Sequence, residues 1–254
     1  MPQGATRQST GTRRGRSLSI SRGSDEGSGK GSDKGSGRRL FRRITQLYVG
    51  LLLYGASAAL MVRAGLGLDP WDVFHQGISE RSGLSIGTVT IIAGAAVLLL
   101  WWPMRERPGL GTVSNVFLVG LSMDATLWLL PHVDALTYRV PLLLSGVVLN
   151  GAATGLYISA RFGPGPRDGL MTGLHKITGR SIRLVRTGIE VVVLLTGILL
   201  GGSAGVGTVL YALAIGPLAQ FFLRVFALPD SARTGEGSRV VARGGEPEGT
   251  VLRG

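Results

Sequence analysis

Two stretches of this chain obey one pattern. Residues 65–77 read GLGLDPWDVFHQG and residues 161–173 read RFGPGPRDGLMTG, sharing G-x-x-P-x-D-x-x-x-x-G at a spacing of 96 residues. The same offset holds without a gap on both sides: Gly55-Ala56 maps onto Gly151-Ala152, Gly83 onto Gly179, Ser85-Ile86 onto Ser181-Ile182, and 109–113 onto 205–209. Matches at one fixed offset mean an internal duplication. Any fold for this chain must therefore be made of two copies of one design. Each copy carries a polar, Pro- and Gly-broken segment between apolar runs.

Those runs decide the class. Each of six segments is long enough to cross about 30 Å of hydrocarbon: 44–64, 84–103, 109–130, 140–160, 182–202 and 205–226. Mean hydropathy is +0.31, and the runs lack the alternation of barrel strands, so the spans are predicted to be helices. Small residues at four-residue spacing, such as Gly55/Ala59 and Gly151/Gly155, let helices approach closely. The predicted fold is an all-α membrane protein, six transmembrane helices as two inverted three-helix repeats, each with a short extra helix. The corresponding divisions are a basic Gly/Ser-rich disordered tail (1–40), a first repeat (41–131), a second, inverted repeat (132–228) and a disordered C-terminal tail (229–254).

The net charge of +12 suggests nucleic acid only until it is located. Residues 1–43 hold eleven Lys/Arg against three acidic residues, and no nucleic-acid module follows, so nucleic-acid binding is not expected. Cysteine is absent, which excludes disulfides and thiolate chemistry. Short connections carry their Lys/Arg unequally. Arg105 and Arg107 lie between spans 2 and 3, while Arg161, Arg167, Lys176 and Arg180 lie between spans 4 and 5; the opposite side is poor in net positive charge. The positive-inside rule then puts both termini in the cytoplasm of a plasma-membrane protein. Three spans per copy, an odd number, turn the second copy upside down, as in many secondary transporters.

The repeated segment reads as a short helix. Asp69-Pro70 supplies an N-cap and a first-turn proline, Asp72 favours the helix N-terminus, and Gly83 ends it; the second copy runs from Pro166 to a stop at Gly179. Short broken helices at matching places in two halves point to a solute pathway. Polar residues inside the spans add to it, with Asp124 matched by Gln220 and Asn150 by Tyr54. Glu190 stands alone, four residues after Arg186, at ion-pair spacing. The candidate pathway comprises Asp69, Pro70, Asp72, Asp124, Asn150, Pro166, Asp168, Glu190 and Gln220, with Asp72 and Asp168 at two mouths. The histidines are too scattered for a metal, and no nucleophile or zinc motif occurs, so neither a cofactor nor an enzyme is expected.

The stretches 65–78 and 163–174 resemble the YczE/YyaS/YitT group of bacterial integral membrane proteins, over about residues 47–228. Asp69 departs from the small residue usual there. The resemblance implies a small polytopic membrane protein and names no substrate. The favoured expectation is a transporter or exporter of an unknown small solute in the lipid bilayer. The alternative is a scaffold or regulatory subunit of a membrane complex, and a homo-oligomer is left open.

Overall fold

The computed structural model of the chain describes residues 30–227, with side chains from Gly37 onward. Of the tails predicted to be disordered, residues 1–29 and 229–254 lie outside the described residues. Two units are distinguished, Met1–Arg38 and Arg39–Gly254, and the contacts below belong to the second. Its elements are helical: α1 (Lys30–Ala64), α2 (Pro70–Ser82), α3 (Ile86–Met104), α4 (Leu110–Leu129), α5 (Leu136–Ser159), α6 (Pro166–Thr178), α7 (Ile182–Leu199) and α8 (Val206–Phe226). Since α1 begins at Lys30, residues 30–40 of the expected tail are helical.

Among the described residues, five helical stretches are long and apolar enough to cross a membrane: 37–64, α3, α4, α5 and α8. The sixth expected span, 182–202, is shorter than predicted, because α7 ends at Leu199. It is also wetter, carrying Arg183, Arg186 and Glu190 where α3 has Gly87, Thr90 and Gly94.

The 96-residue offset reappears in the backbone. Helices α2 and α6 are both 13 residues long and start and stop in register. Gly67 and Gly163 share a φ of 118°, and the helix-ending Gly83 and Gly179 have φ of 71° and 67°. At both stops the glycine reaches the left-handed region without a Cβ penalty. Asp69 is the predicted N-cap, accepting hydrogen bonds from the amides of Trp71 (2.8 Å) and Asp72 (2.9 Å).

Contacts between the halves are reciprocal. Arg43 donates to the carbonyls of Ala160 (3.0 Å) and Arg161 (3.2 Å) at the end of α5. Its counterpart Arg139 donates to the carbonyls of Ala64 and Gly65, both at 2.6 Å, at the end of α1. The Gly111 amide of α4 meets the Phe162 carbonyl at 2.9 Å, and the Gly207 amide of α8 meets the Leu66 carbonyl at 2.8 Å. Contact i to j is thus repeated as j to i, as between like surfaces. Helices α2 and α7 pack together, as do α6 and α3. At the first crossing Gly197 admits the backbone of Val73 and Phe74; at the second Gly169 lies under the ring of Trp101. Such close approach lets dispersion bind helices that no water-driven force would hold in lipid.

The two halves depart from each other in the packing of the pairs α3–α4 and α7–α8. Helix α3 is shut against α4, where a Cβ on Gly120 would stand 2.4 Å from the Gly87 carbonyl. Asp124 closes this seam, accepting from the Ser85 hydroxyl (2.6 Å) and the Gly87 amide (2.8 Å). Among the described residues no comparable packing joins α7 to α8. Gly216, the counterpart of Gly120, would meet nothing within 4 Å. The three charged side chains of α7 explain the difference, since they need water or partners where α3 offers glycine and threonine.

Candidate functional site

The N-terminal turns of α2 and α6 meet. Pro70 and Pro166 both line a cavity of about 490 Å³ that reaches between α7 and α8, within the usual range of small-molecule sites. Across it Arg167 of α6 sits 3.4 Å from Asp69 Oδ2 and 3.5 Å from Asp72 Oδ1. Its guanidinium also lies 5.0 Å from the centre of the Trp71 ring. Counted in the sequence among the loop cations, Arg167 is instead three-quarters buried, with its side chain 24% exposed.

Both carboxylates facing it are almost fully buried, at 2% each. Burial, and then the neighbouring charge of Asp72, push Asp69 up to about 6 despite Arg167 and the two capping amides. Burial alone would also raise Asp72, but the hydrogen bond from His75 and the charge of Arg167 outweigh it and hold the group below its usual range. His75 lies with Nδ1 3.3 Å from Asp72 Oδ1 and 3.1 Å from the Thr90 hydroxyl. Burial lowers its affinity for a proton, with the Arg167 charge adding to the effect and Asp72 opposing it. The cluster thus pairs one fixed cation with two carboxylates of unlike proton affinity.

The second copy of the motif is neutralised differently. Asp168 accepts from the Tyr157 hydroxyl at 3.0 Å, and among the described residues it has no ion-pair partner. Tyr157 meets Tyr54 edge to face, centroids 6.2 Å apart, and both rings line the cavity with Tyr211. Lower on α7, Arg186 Nε binds Glu190 Oε1 at 3.0 Å, the predicted intrahelical pair.

Of the predicted pathway residues, Asp69, Pro70, Pro166, Asp168, Glu190 and Gln220 line the cavity. Three do not. Asp72 lies behind the wall, in the Arg167–His75 cluster, and so is not at a mouth. Asp124 closes the α3–α4 seam, because a carboxylate four turns along α4 faces the free amides that begin α3. Asn150 is fully buried, donating to the Ser57 hydroxyl (2.8 Å) and accepting from Tyr211 (3.0 Å). Sequence reasoning missed Arg167, Trp71 and His75 as site residues. The available signal was that Arg167 is the only Lys or Arg within either copy of the shared G-x-x-P-x-D-x-x-x-x-G core, residues 67–77 and 163–173.

Residues 41–224 match the family described as Family of unknown function (DUF6198). The chain belongs to that family. An uncharacterized protein of Haemophilus influenzae is 40% identical over 187 residues, covering 74% of this chain and 86% of the relative. The uncharacterized membrane protein YczE of Bacillus subtilis is 34% identical over 188 residues, 73% of this chain and 87% of its own. YyaS of the same organism is 26% identical over 181 residues, 70% and 90%. The resemblance read from residues 65–78 and 163–174 therefore holds as a YczE/YyaS-type family. No solved structure matches the chain.

Proposed function

We propose that this chain is a multi-pass plasma-membrane protein of six spans in two inverted repeats, with cytoplasmic termini, that carries a small solute by alternating access through its central cavity. The relative named a membrane protein and the five apolar helices support the location. The observation that carries the transport reading is the unequal closure of two equivalent helix pairs. Helix α3 is shut on α4 while α7 stands off α8, and the cavity runs into that gap. In inverted-repeat carriers the two halves exchange such conformations around a fixed site. In the opposite state α7 would close over Gly216, with Gln220 in the place of Asp124, and the Gly87–Gly120 seam would part. The cavity lining includes Arg186 near the start of α7 and Leu223 near the end of α8, an end of the bundle that this reading takes as cytoplasmic by its charge.

The test uses the natural absence of cysteine. Ser82 and Thr178 are exposed, 96 residues apart, at the ends of α2 and α6. Ser82→Cys should react with a membrane-impermeant thiol reagent from outside intact cells, and Thr178→Cys only after the membrane is opened. Reaction of both from one side would exclude the inverted repeat. A Gly216→Cys variant, open in the present state, should be protected in part when a transported solute shifts the population. Opposite sidedness with no protection by any solute would favour the scaffold, with a partner helix filling the gap beside α7, whose one buried residue is Gly197.

A further inference from the structure

The two-fold relation makes a statement about charge that neither copy makes alone. Asp72 and Asp168 are equivalent, and so are Trp71 and Arg167. Arg167 reaches across to Asp72 and Asp69. The residue in the equivalent position to reach Asp168 is Trp71, an aromatic ring and not a cation. Asp168 has one hydrogen-bond donor, the Tyr157 hydroxyl, and feels the charge of Arg186 only at longer range. The Cβ direction of Gly165 points at this group, 3.3 Å from Asp168 Oδ2 and 3.4 Å from the Tyr157 oxygen, so the glycine keeps the space in front of the carboxylate clear.

The rest of the wall agrees with that sign. Asp69, Asp168 and Glu190 line the cavity against Arg167 and Arg186, with Asp72 directly behind. Arg167 has both faces of its fork on protein carboxylates and Arg186 is held by Glu190. Both cations on the wall thus already have carboxylate partners, Arg186 through Nε alone. Among the described residues, Asp72 Oδ2 is a buried acceptor without a hydrogen-bond partner, and Trp71 Nε1–H is a buried donor without one. Trp71 is itself part of the wall and only 7% exposed. Carboxylate and aromatic faces together are what holds an ammonium or guanidinium group in a cavity sheltered from water.

We infer that the central cavity binds a small organic cation, whose charged group docks on Asp168 beside the rings of Tyr157 and Tyr54. The inference rests on the transport reading of the same cavity and adds the class of solute. Docking a cation on Asp168 gives that half the neutrality that Arg167 gives the other.

The measurement is titration calorimetry on the full chain in lipid nanodiscs. The probes are tetramethylammonium, guanidinium, glycine betaine and acetate. The cations are expected to bind, acetate not, and Asp168→Asn to weaken cation binding by about tenfold or more. Tyr157→Phe, which keeps the charge and frees the carboxylate of its donor, should hold or tighten that affinity; it serves if Asp168→Asn fails to fold. Acetate or betaine binding better than the cations, or cation binding unchanged in Asp168→Asn, overturns the inference while leaving a carrier of another solute. Absence of binding by either cation at millimolar concentration overturns it too. The accessibility of Gly216→Cys then judges the transport reading separately.

Discussion

Arg167 and Asp72 come from different copies of the same motif, and the guanidinium of one lies 3.5 Å from the carboxylate of the other. The two signature segments therefore meet inside the protein through charge. Such a buried cluster is costly to assemble and costlier to break, since removing one member leaves the others desolvated and uncompensated.

Arg167→Leu should therefore destabilise the protein by about 3–5 kcal/mol. Restoring neutrality with Asp69→Asn and Asp72→Asn in the same chain should recover much of the loss. Arg167→Lys should fall between, because an ammonium cannot serve two carboxylates as a planar fork does. Denaturant unfolding in mixed micelles, followed by tryptophan fluorescence, checks the order of the variants. A double or triple variant no better than Arg167→Leu alone would mean that packing on Trp71, and not charge, sets the cost.

The raised proton affinity of Asp69 gives a pH dependence of definite sign. Its pKa moves from 3.8 to about 6 on folding, burial being the main cause and Asp72 the second. Between those values the folded state holds more protons than the unfolded one, so this group's contribution to stability falls as pH rises from about 4 to about 6. Asp72, shifted downward, contributes in the opposite sense, its stabilisation being lost as pH falls. Asp69→Asn keeps a good N-cap and removes the first effect. The stability of Asp69→Asn relative to the natural chain should thus increase across that window and level off above it. A flat difference would refute the assignment.

Much of this was legible in advance, and the boundary is physical. Helix ends at Pro70, Gly83, Pro166 and Gly179 are set by local backbone chemistry, so the sequence carries them directly. The duplication is likewise a pattern along the chain. The cross-copy partner of Asp72 and the partners of Asp124 are not, because they lie 95 and 37 to 39 positions away. A carboxylate in an apolar run has to find a partner, and the sequence states that need without stating the address. Asp124 was placed in the pathway for that reason and found its partner at a helix start.

Gly120 and Gly216 are equivalent in the repeat and should respond oppositely to the same change. Gly120→Ala puts a methyl 2.4 Å from a backbone carbonyl and 2.6 Å from Ile91, an overpacking that costs about 1–3 kcal/mol. Gly216→Ala meets open space and should be neutral or stabilising by up to about 1 kcal/mol. Thermal unfolding of the pair decides it. Equal losses would mean that both seams are closed in solution.

Tyr211→Phe should cost little, about 0.6–1.7 kcal/mol, because it removes only the hydroxyl that donates to Asn150 at 3.0 Å. Asn150 still has Ser57 as acceptor for its amide. A much larger loss, measured by the same micelle unfolding, would mean that Asn150 organises more of the core than these two bonds.

The reciprocal arginine clamps also bear on biogenesis. Arg43 closes the end of α5, and Arg139 closes the end of α1. Each half leaves the ribosome without the donor that its own helix terminus requires, and α4 waits for a carbonyl, at Phe162, that is translated some fifty residues later. The first half must therefore be held by the insertion machinery, or by lipid, until the second arrives. Expressed as two separate polypeptides, the halves should be degraded singly and accumulate only together.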